Sequence, residues 1–233
     1  MTDQTRVARA FAGIARCVLA ESSAAEVLQV FADSCAAAVG VPSVGVSVGP
    51  VGDCPPVMAA SDERAHVLED VAAGAGPTPA RYVRAYGRSL VNTRLLPRDG
   101  RWPAVAERAL AAGIGLVTVL PLRDADEILG TVTLYCEDWV GLEAPRIEVA
   151  EALAVTATAV LIEARRRDAA AARARRLSVA LDQRVRIEEA VGRLAERWNV
   201  TPDEAYERMR RDTEERDVPL ETLVREAAAV DRW

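Results

Sequence analysis

The stretch between Pro145 and Asn199 constrains this chain more than any other feature, because it holds no proline and a single glycine, Gly192. Proline and glycine are the residues that most often interrupt a helix, so the stretch predicts one continuous helix over 146–198. Its character changes along its length. Val149–Ile162 is rich in apolar residues. Residues 163–176 set Arg165, Arg166, Arg167, Arg173, Arg175 and Arg176 among alanines. Beyond them an apolar stripe resumes with Leu177, Leu181, Ile187, Ala190, Val191, Leu194 and Trp198. This pattern predicts two folded parts, residues 1–163 and 177–233, joined by a helical linker at 164–176 in place of a flexible hinge. The linker arginines are expected on a solvated face. Two alternatives stay open: a basic approach surface for RNA, and close contact of two such helices through Ala169, Ala172 and Ala180.

The first part changes period several times. Val7, Phe11, Ile14 and Val18 are spaced for a helix over about 5–20. Ser22 and Ser23 offer N-caps for a second helix that Gly40 ends. Val44, Val46 and Val48 alternate with Gly45 and Ser47, a strand pattern, and Gly49–Asp53 is a turn cluster before a returning strand at Val57–Ser61. Helices are expected at 62–73, Arg81–Gly87 and Trp102–Ala112, and a short strand at Leu90-Val91. Ile114–Leu122 and Ile128–Cys136 read as a strand pair joined by Asp124-Ala125-Asp126-Glu127. This order gives an α+β domain, an antiparallel sheet with flanking helices.

Composition narrows the partners. Every basic residue is arginine, and the net charge is −6, which argues against a protein that coats nucleic acid. The charge is uneven: residues 165–233 hold 16 arginines and 15 acidic residues, against 13 and 20 in the rest. Only the C-terminal third is near neutral and tolerates a polyanion. Cys17, Cys35, Cys54 and Cys136 are dispersed, so neither a disulfide scaffold nor a metal site is expected. Cys54, beside Pro55, is a weak redox candidate. No apolar run is long enough to span a membrane, and the expected location is the cytoplasm.

The last part reads as an all-α three-helix bundle. Thr201-Pro202-Asp203-Glu204 is a helix start with a capping box, and its helix is expected to bury Ala205, Tyr206, Met209 and Thr213. Asp217-Val218-Pro219 starts a third helix with Leu220, Leu223, Val224, Ala227 and Val230 inward. Arg186, Arg193 and Arg197 share one face of the first helix, and Arg208 and Arg211 lie three apart on the second. Such arginines bind phosphates and stack on unpaired bases; ion pairing with Glu188, Glu189, Glu207 and Glu215 is the plainer alternative.

At this point a resemblance enters. The spaced residues Leu177, Ala180-Leu181, Arg184, Ile187-Glu188, Ala190, Gly192 and Leu194 resemble the opening of the ANTAR domain. Val200–Tyr206, Met209-Arg210 and Thr213 resemble its second helix, and Leu220, Leu223 and Val224 its third. The resemblance implies an RNA-binding module acting in transcription antitermination, a dimer on paired RNA stem-loops. Arg184 and Arg210 are polar members of the pattern, while Ala190 and Gly192 suit a helix crossing. One departure is Val191, where the family often has lysine. Residues 5–163 resemble a GAF domain through Gly74–Pro77, Tyr86-Gly87, Arg101-Trp102-Pro103, Gly113, Leu120-Pro121-Leu122, Leu129-Gly130 and Leu134-Tyr135; Thr78 stands where that family often has cysteine.

The reading is an RNA-binding antitermination regulator with a GAF-like domain that senses a small molecule or other signal. Its RNA contacts are expected at Arg184, Arg186, Arg193, Arg197, Arg210 and Arg211. A ligand pocket between sheet and helices would be lined by Val46, Met58, Tyr82, Tyr86, Trp102 and Val119, with core packing as the alternative for each. Expected partners are paired RNA stem-loops, a second copy of the chain and an unknown small molecule; no membrane, metal or cofactor is expected. The competing reading is a signalling adaptor or dimerisation protein whose C-terminal bundle binds a protein. Catalysis is not expected, because His66 is the sole histidine and no phosphate loop is present.

Overall fold

The computed structural model describes residues 3–50, 56–74, 76–97, 101–125, 127–137, 141–216, 218 and 222–224. The chain divides into two compact units, Met1–Ala169 and Ala170–Trp233.

The first unit opens with α1 (Asp3–Leu19) and α2 (Ala24–Val39). Ser23 caps α2 in a reciprocal box: its side chain accepts from the Glu26 amide, and the Glu26 carboxylate accepts from the Ser23 amide. Gly40 closes the helix with φ 70°, in the left-handed region that glycine enters freely. The buried stripe of α1 is Ala10, Ile14 and Cys17. Of the expected stripe Val7, Phe11, Ile14 and Val18, Ile14 is fully buried and Phe11 packs against the core, while Val18 is exposed. Helix α1 lies close on α2, with Gly13 against Ser34 and Val30.

Five strands form one antiparallel sheet: β1 (Ser43–Val48), β2 (Val57–Ala60), β3 (Leu90–Arg94), β4 (Leu116–Asp124) and β5 (Glu127–Cys136), ordered β2-β1-β5-β4-β3. Period two sorts their residues onto two faces. Val44, Val46 and Val48 of β1, with Val132, Leu134 and Cys136 of β5, pack under α1, α2 and the first part of α6 (Ala144–Trp198). The opposite face carries Gly45, Ser47, Thr131, Thr133 and Tyr135. It is covered by α3 (Glu63–Ala73), α4 (Pro79–Tyr86) and α5 (Pro103–Ala111).

Thr78 caps α4 and Pro79 fills its first turn, so the helix starts two residues before the expected Arg81. Strand β3 runs past the expected Leu90-Val91 through a bulge where Asn92 has φ 45°. The Asn92 side chain bonds the Leu142 amide at 2.7 Å and the Leu142 carbonyl at 2.9 Å, which ties the bulge to the approach to α6. Cys54, Pro55 and most of the turn cluster, as well as Ala75 and Asp126, lie outside the described residues.

The second unit contains the rest of α6 and α7 (Pro202–Arg216). Asn199, with φ 51°, ends α6. Thr201 and Glu204 make the expected capping box around the start of α7. Ala190, Val191, Ala195, Ala205, Met209 and Leu223 form the buried core. Three expectations are corrected. Leu177 and Leu181 are 65% and 62% exposed and stand outside this core. Tyr206 is 41% exposed where burial was expected, its ring lying off the stripe that Ala205 and Met209 define. Among the described residues nothing lies within 4 Å of where a Gly192 side chain would stand, so no close packing is seen there. Residues 222–224 are helical; Asp217, Pro219, Leu220, Ala227 and Val230 of the expected third helix lie outside the described residues.

Candidate functional site

Helix α3 buries Ala65, Leu68 and Glu69, with half-buried Ala72 completing the i, i+3, i+4, i+7 spacing of an inward stripe. Three of the four are apolar; the fourth is an acid. Glu69 is 2% exposed. Its Oε1 accepts a hydrogen bond from Tyr135 Oη at 2.9 Å, and the hydroxyls of Thr133 and Ser47 also donate to the carboxylate. Ser47 and Thr131 lie side by side, their oxygens 3.3 Å apart. Strand β1 makes room for the acid with Gly45, where any Cβ would overlap the Glu69 carboxylate. Burial pushes the Glu69 carboxyl up to about 7, although the three hydroxyls oppose the shift. Burial and the neighbouring Glu69 push the Tyr135 phenol well above its usual range.

Glu69 and Ser47 line a cavity of about 380 Å3 bounded by β1, β2, α3 and α4. Its walls include Val57, Met58, Ala72, Ala73 and Ala80, and Arg81 and Arg84 of α4 reach it from the exposed side. Arg81 donates to the carbonyls of Ala73 and Gly74. The other wall is the end of β1, Val48-Gly49-Pro50. This short segment is held from two sides. Arg84 lies against Gly49 so closely that a side chain there would strike it. From α6, Arg165 Nη2 donates to the Gly49 carbonyl at 2.9 Å. Arg165 is 6% exposed, a correction to the expectation that all the linker arginines are solvated. It belongs to the first unit because α6 packs on the sheet beyond Ile162, through Ala164.

The residues singled out in the sequence for a pocket are placed as follows. Met58 lines the cavity. Val46 is on the other face of the sheet, in the core under α1 and α2. Val119 and Trp102 are buried in the core beneath α3, α4 and α5. Tyr82 packs its ring 4.7 Å from Tyr86 and 6.2 Å from Trp102, with Arg101 over Tyr82 and Trp102. Tyr86 itself is 68% exposed. His66 is exposed beside Asp70. The sequence reading missed Glu69. Its signal was an acid within a buried helical stripe, opposite strands whose second face is glycine, serine, threonine and tyrosine.

In the second unit Arg184, Arg186, Arg193, Arg197, Arg210 and Arg211 are all exposed. Arg184 pairs with Glu188 at 2.9 Å. Arg210 is held between Glu207 and Glu214 at 3.1 and 2.8 Å, and Arg211 Nε reaches the Glu207 carbonyl. Arg208 lies over the Trp198 ring, 4.9 Å from its centroid. Val191 is buried, so a lysine at this position would have to carry its charge out of the core. Among the described residues no group of His, Cys, Asp or Glu is placed to hold a metal ion, and no helix is long and apolar enough to cross a membrane.

Residues 175–226 match the ANTAR domain family. The first unit shares its fold with the GAF domain of a Coxiella burnetii phosphoenolpyruvate-protein phosphotransferase: TM-score 0.53, 13% identity, covering 72% of this chain and 99% of that one. The GAF domain of the Acinetobacter phosphoenolpyruvate-protein phosphotransferase gives TM-score 0.50 and 11% identity, covering 71% and 97%. The chain joins a GAF-type fold to an ANTAR domain. No curated protein matches it in sequence. The ANTAR match takes in all six arginines above, Val191 and the exposed Leu177 and Leu181. The cavity and Glu69 belong to the GAF-type domain.

Proposed function

We infer that the chain is an RNA-binding transcription antitermination regulator: its ANTAR domain, in a homodimer, grips paired RNA stem-loops, and its GAF-type domain senses a small molecule. The match of residues 175–226 to the ANTAR domain carries this reading. The solvent-exposed arginines on α6 and α7 support it, since phosphate contacts are made by cations at the surface. Leu177, Leu181 and Val185, exposed on α6, support a second copy packing along that helix. In the sensor, the segment Gly49-Pro50 lines the cavity and is bonded by Arg165 of α6. A ligand that moves this segment acts on the helix that continues into the ANTAR domain.

The test is a mobility shift with the purified protein and a two-stem-loop RNA from its own operon leader, at two salt concentrations. Specific binding that weakens in salt is expected. The triple variant R186A/R193A/R197A should lose most of it, with the salt slope reduced by about 0.7–0.9 for each phosphate contact removed. A specific observation favours a second reading, that the bundle binds a protein: Arg184 and Arg210 are already paired with glutamates. Salt-independent or absent RNA binding by a folded protein selects that reading.

A further inference from the structure

The cavity of the GAF-type domain is lined by charged groups of both signs, one buried and two exposed. The buried one is the Glu69 carboxyl, 2% exposed. It sits over Gly45, where no side chain fits, and faces the hydroxyls of Tyr135, Thr133 and Ser47. A hydroxyl donates or accepts by rotation, so this set can adjust when another donor reaches the carboxylate. The exposed ones are Arg81 and Arg84 of α4. The rest of the lining is largely apolar, with Val57, Met58, Ala72 and Ala73.

We propose that this cavity takes a zwitterionic amine: a small molecule with an apolar body, an ammonium group held inward by Glu69 and an anionic group outward at Arg84. The proposal rests on the reading of the cavity as the sensory site. An ionised carboxylate in an apolar interior is costly until it is paired, and an ammonium supplies that partner. A ligand with an anion alone gains nothing at Glu69, and one with a cation alone gains nothing at the arginines. The other elements around Glu69 offer no competing cation among the described residues. β1 and β2 carry no charged side chain, β5 presents Tyr135, and Glu107 and Arg108 of α5 are exposed. Because burial pushes the Glu69 carboxyl up to about 7, seating the ammonium should expel its proton.

The experiment uses the full chain at neutral pH with three probes: 6-aminohexanoate, 6-hydroxyhexanoate and hexylamine. Binding is followed by the methyl signal of Met58, and proton release by calorimetry in buffers of different ionisation enthalpy. 6-Aminohexanoate is expected to bind about tenfold tighter than 6-hydroxyhexanoate and to release about half a proton. Glu69→Gln should remove that preference and the proton release while leaving 6-hydroxyhexanoate binding unchanged. Arg84→Ala should weaken 6-aminohexanoate and spare hexylamine. Equal binding of the amine and the alcohol to the unaltered protein would overturn the proposal and leave the cavity as a ligand site. No response of Met58 to any probe would overturn both. If Glu69→Gln fails to fold, the comparison of amine and alcohol and the proton release in the unaltered protein decide the matter alone.

Discussion

A carboxyl that titrates near neutrality inside a fold links stability to pH through one residue. In the unfolded chain Glu69 ionises at its ordinary value of 4.5, and in the fold at about 7. Between these values the folded state holds more protons than the unfolded one, so stability falls as pH rises through this window. The contribution is fully present below about pH 4.5 and lost above about pH 7, on the order of 3 kcal/mol in all. Glu69→Gln, neutral at every pH, is expected to flatten this slope and to be the more stable protein at about pH 8. Urea unfolding of both proteins at several pH values checks the prediction. Equal slopes would mean that Glu69 is ionised in the fold. The residue was readable as a member of a helical stripe, but not as functional, because helix α3 alone says nothing of what it covers. Only the register of β1 against β5 brings Gly45, Ser47, Thr133 and Tyr135 beneath it.

Among elements, α6 carries the two predictions that depend on helix geometry. Gly192 lies in open space within it, so Gly192→Ala should raise stability by about 1 kcal/mol, measured by thermal unfolding. A loss of stability would mean that a partner occupies the open space. The exposed Leu177 and Leu181 should cover one another in a dimer. Leu177→Glu with Leu181→Glu is expected to shift sedimentation from dimer to monomer and leave the helix content unchanged. Caps and strands were legible in advance, since Ser23, Thr201 and Gly40 act locally and Val44-Val46-Val48 alternates with the pleat. The stripe that seemed to include Leu177 and Leu181 was not legible as two different surfaces. Periodicity shows which face is apolar but not how far α7, at 15 residues, extends along it.

For the molecule as a whole, the absence of proline between Pro145 and Asn199 reported a single continuous helix, α6, because proline would remove a backbone donor and break it. It did not report where the first unit stops, since Arg165 looks like a linker residue until Gly49 is brought against it. The shared helix gives a further expectation. A short glycine-rich insertion near Ala170 should leave ligand binding and RNA binding intact and abolish the influence of one on the other, measured as the ratio of RNA affinities with and without ligand. An unchanged ratio would mean that the signal travels by another route.

Arg165 bonds a backbone oxygen, at a glycine. A main-chain carbonyl is present whatever side chains surround it. Under the proposed sensory role, substitutions at Met58, Ala72 or Glu69 would retune what the cavity accepts without touching the atom through which α6 is held. In such an arrangement the vocabulary of signals is free to drift over evolutionary time, while the grammar that connects signal to response stays fixed.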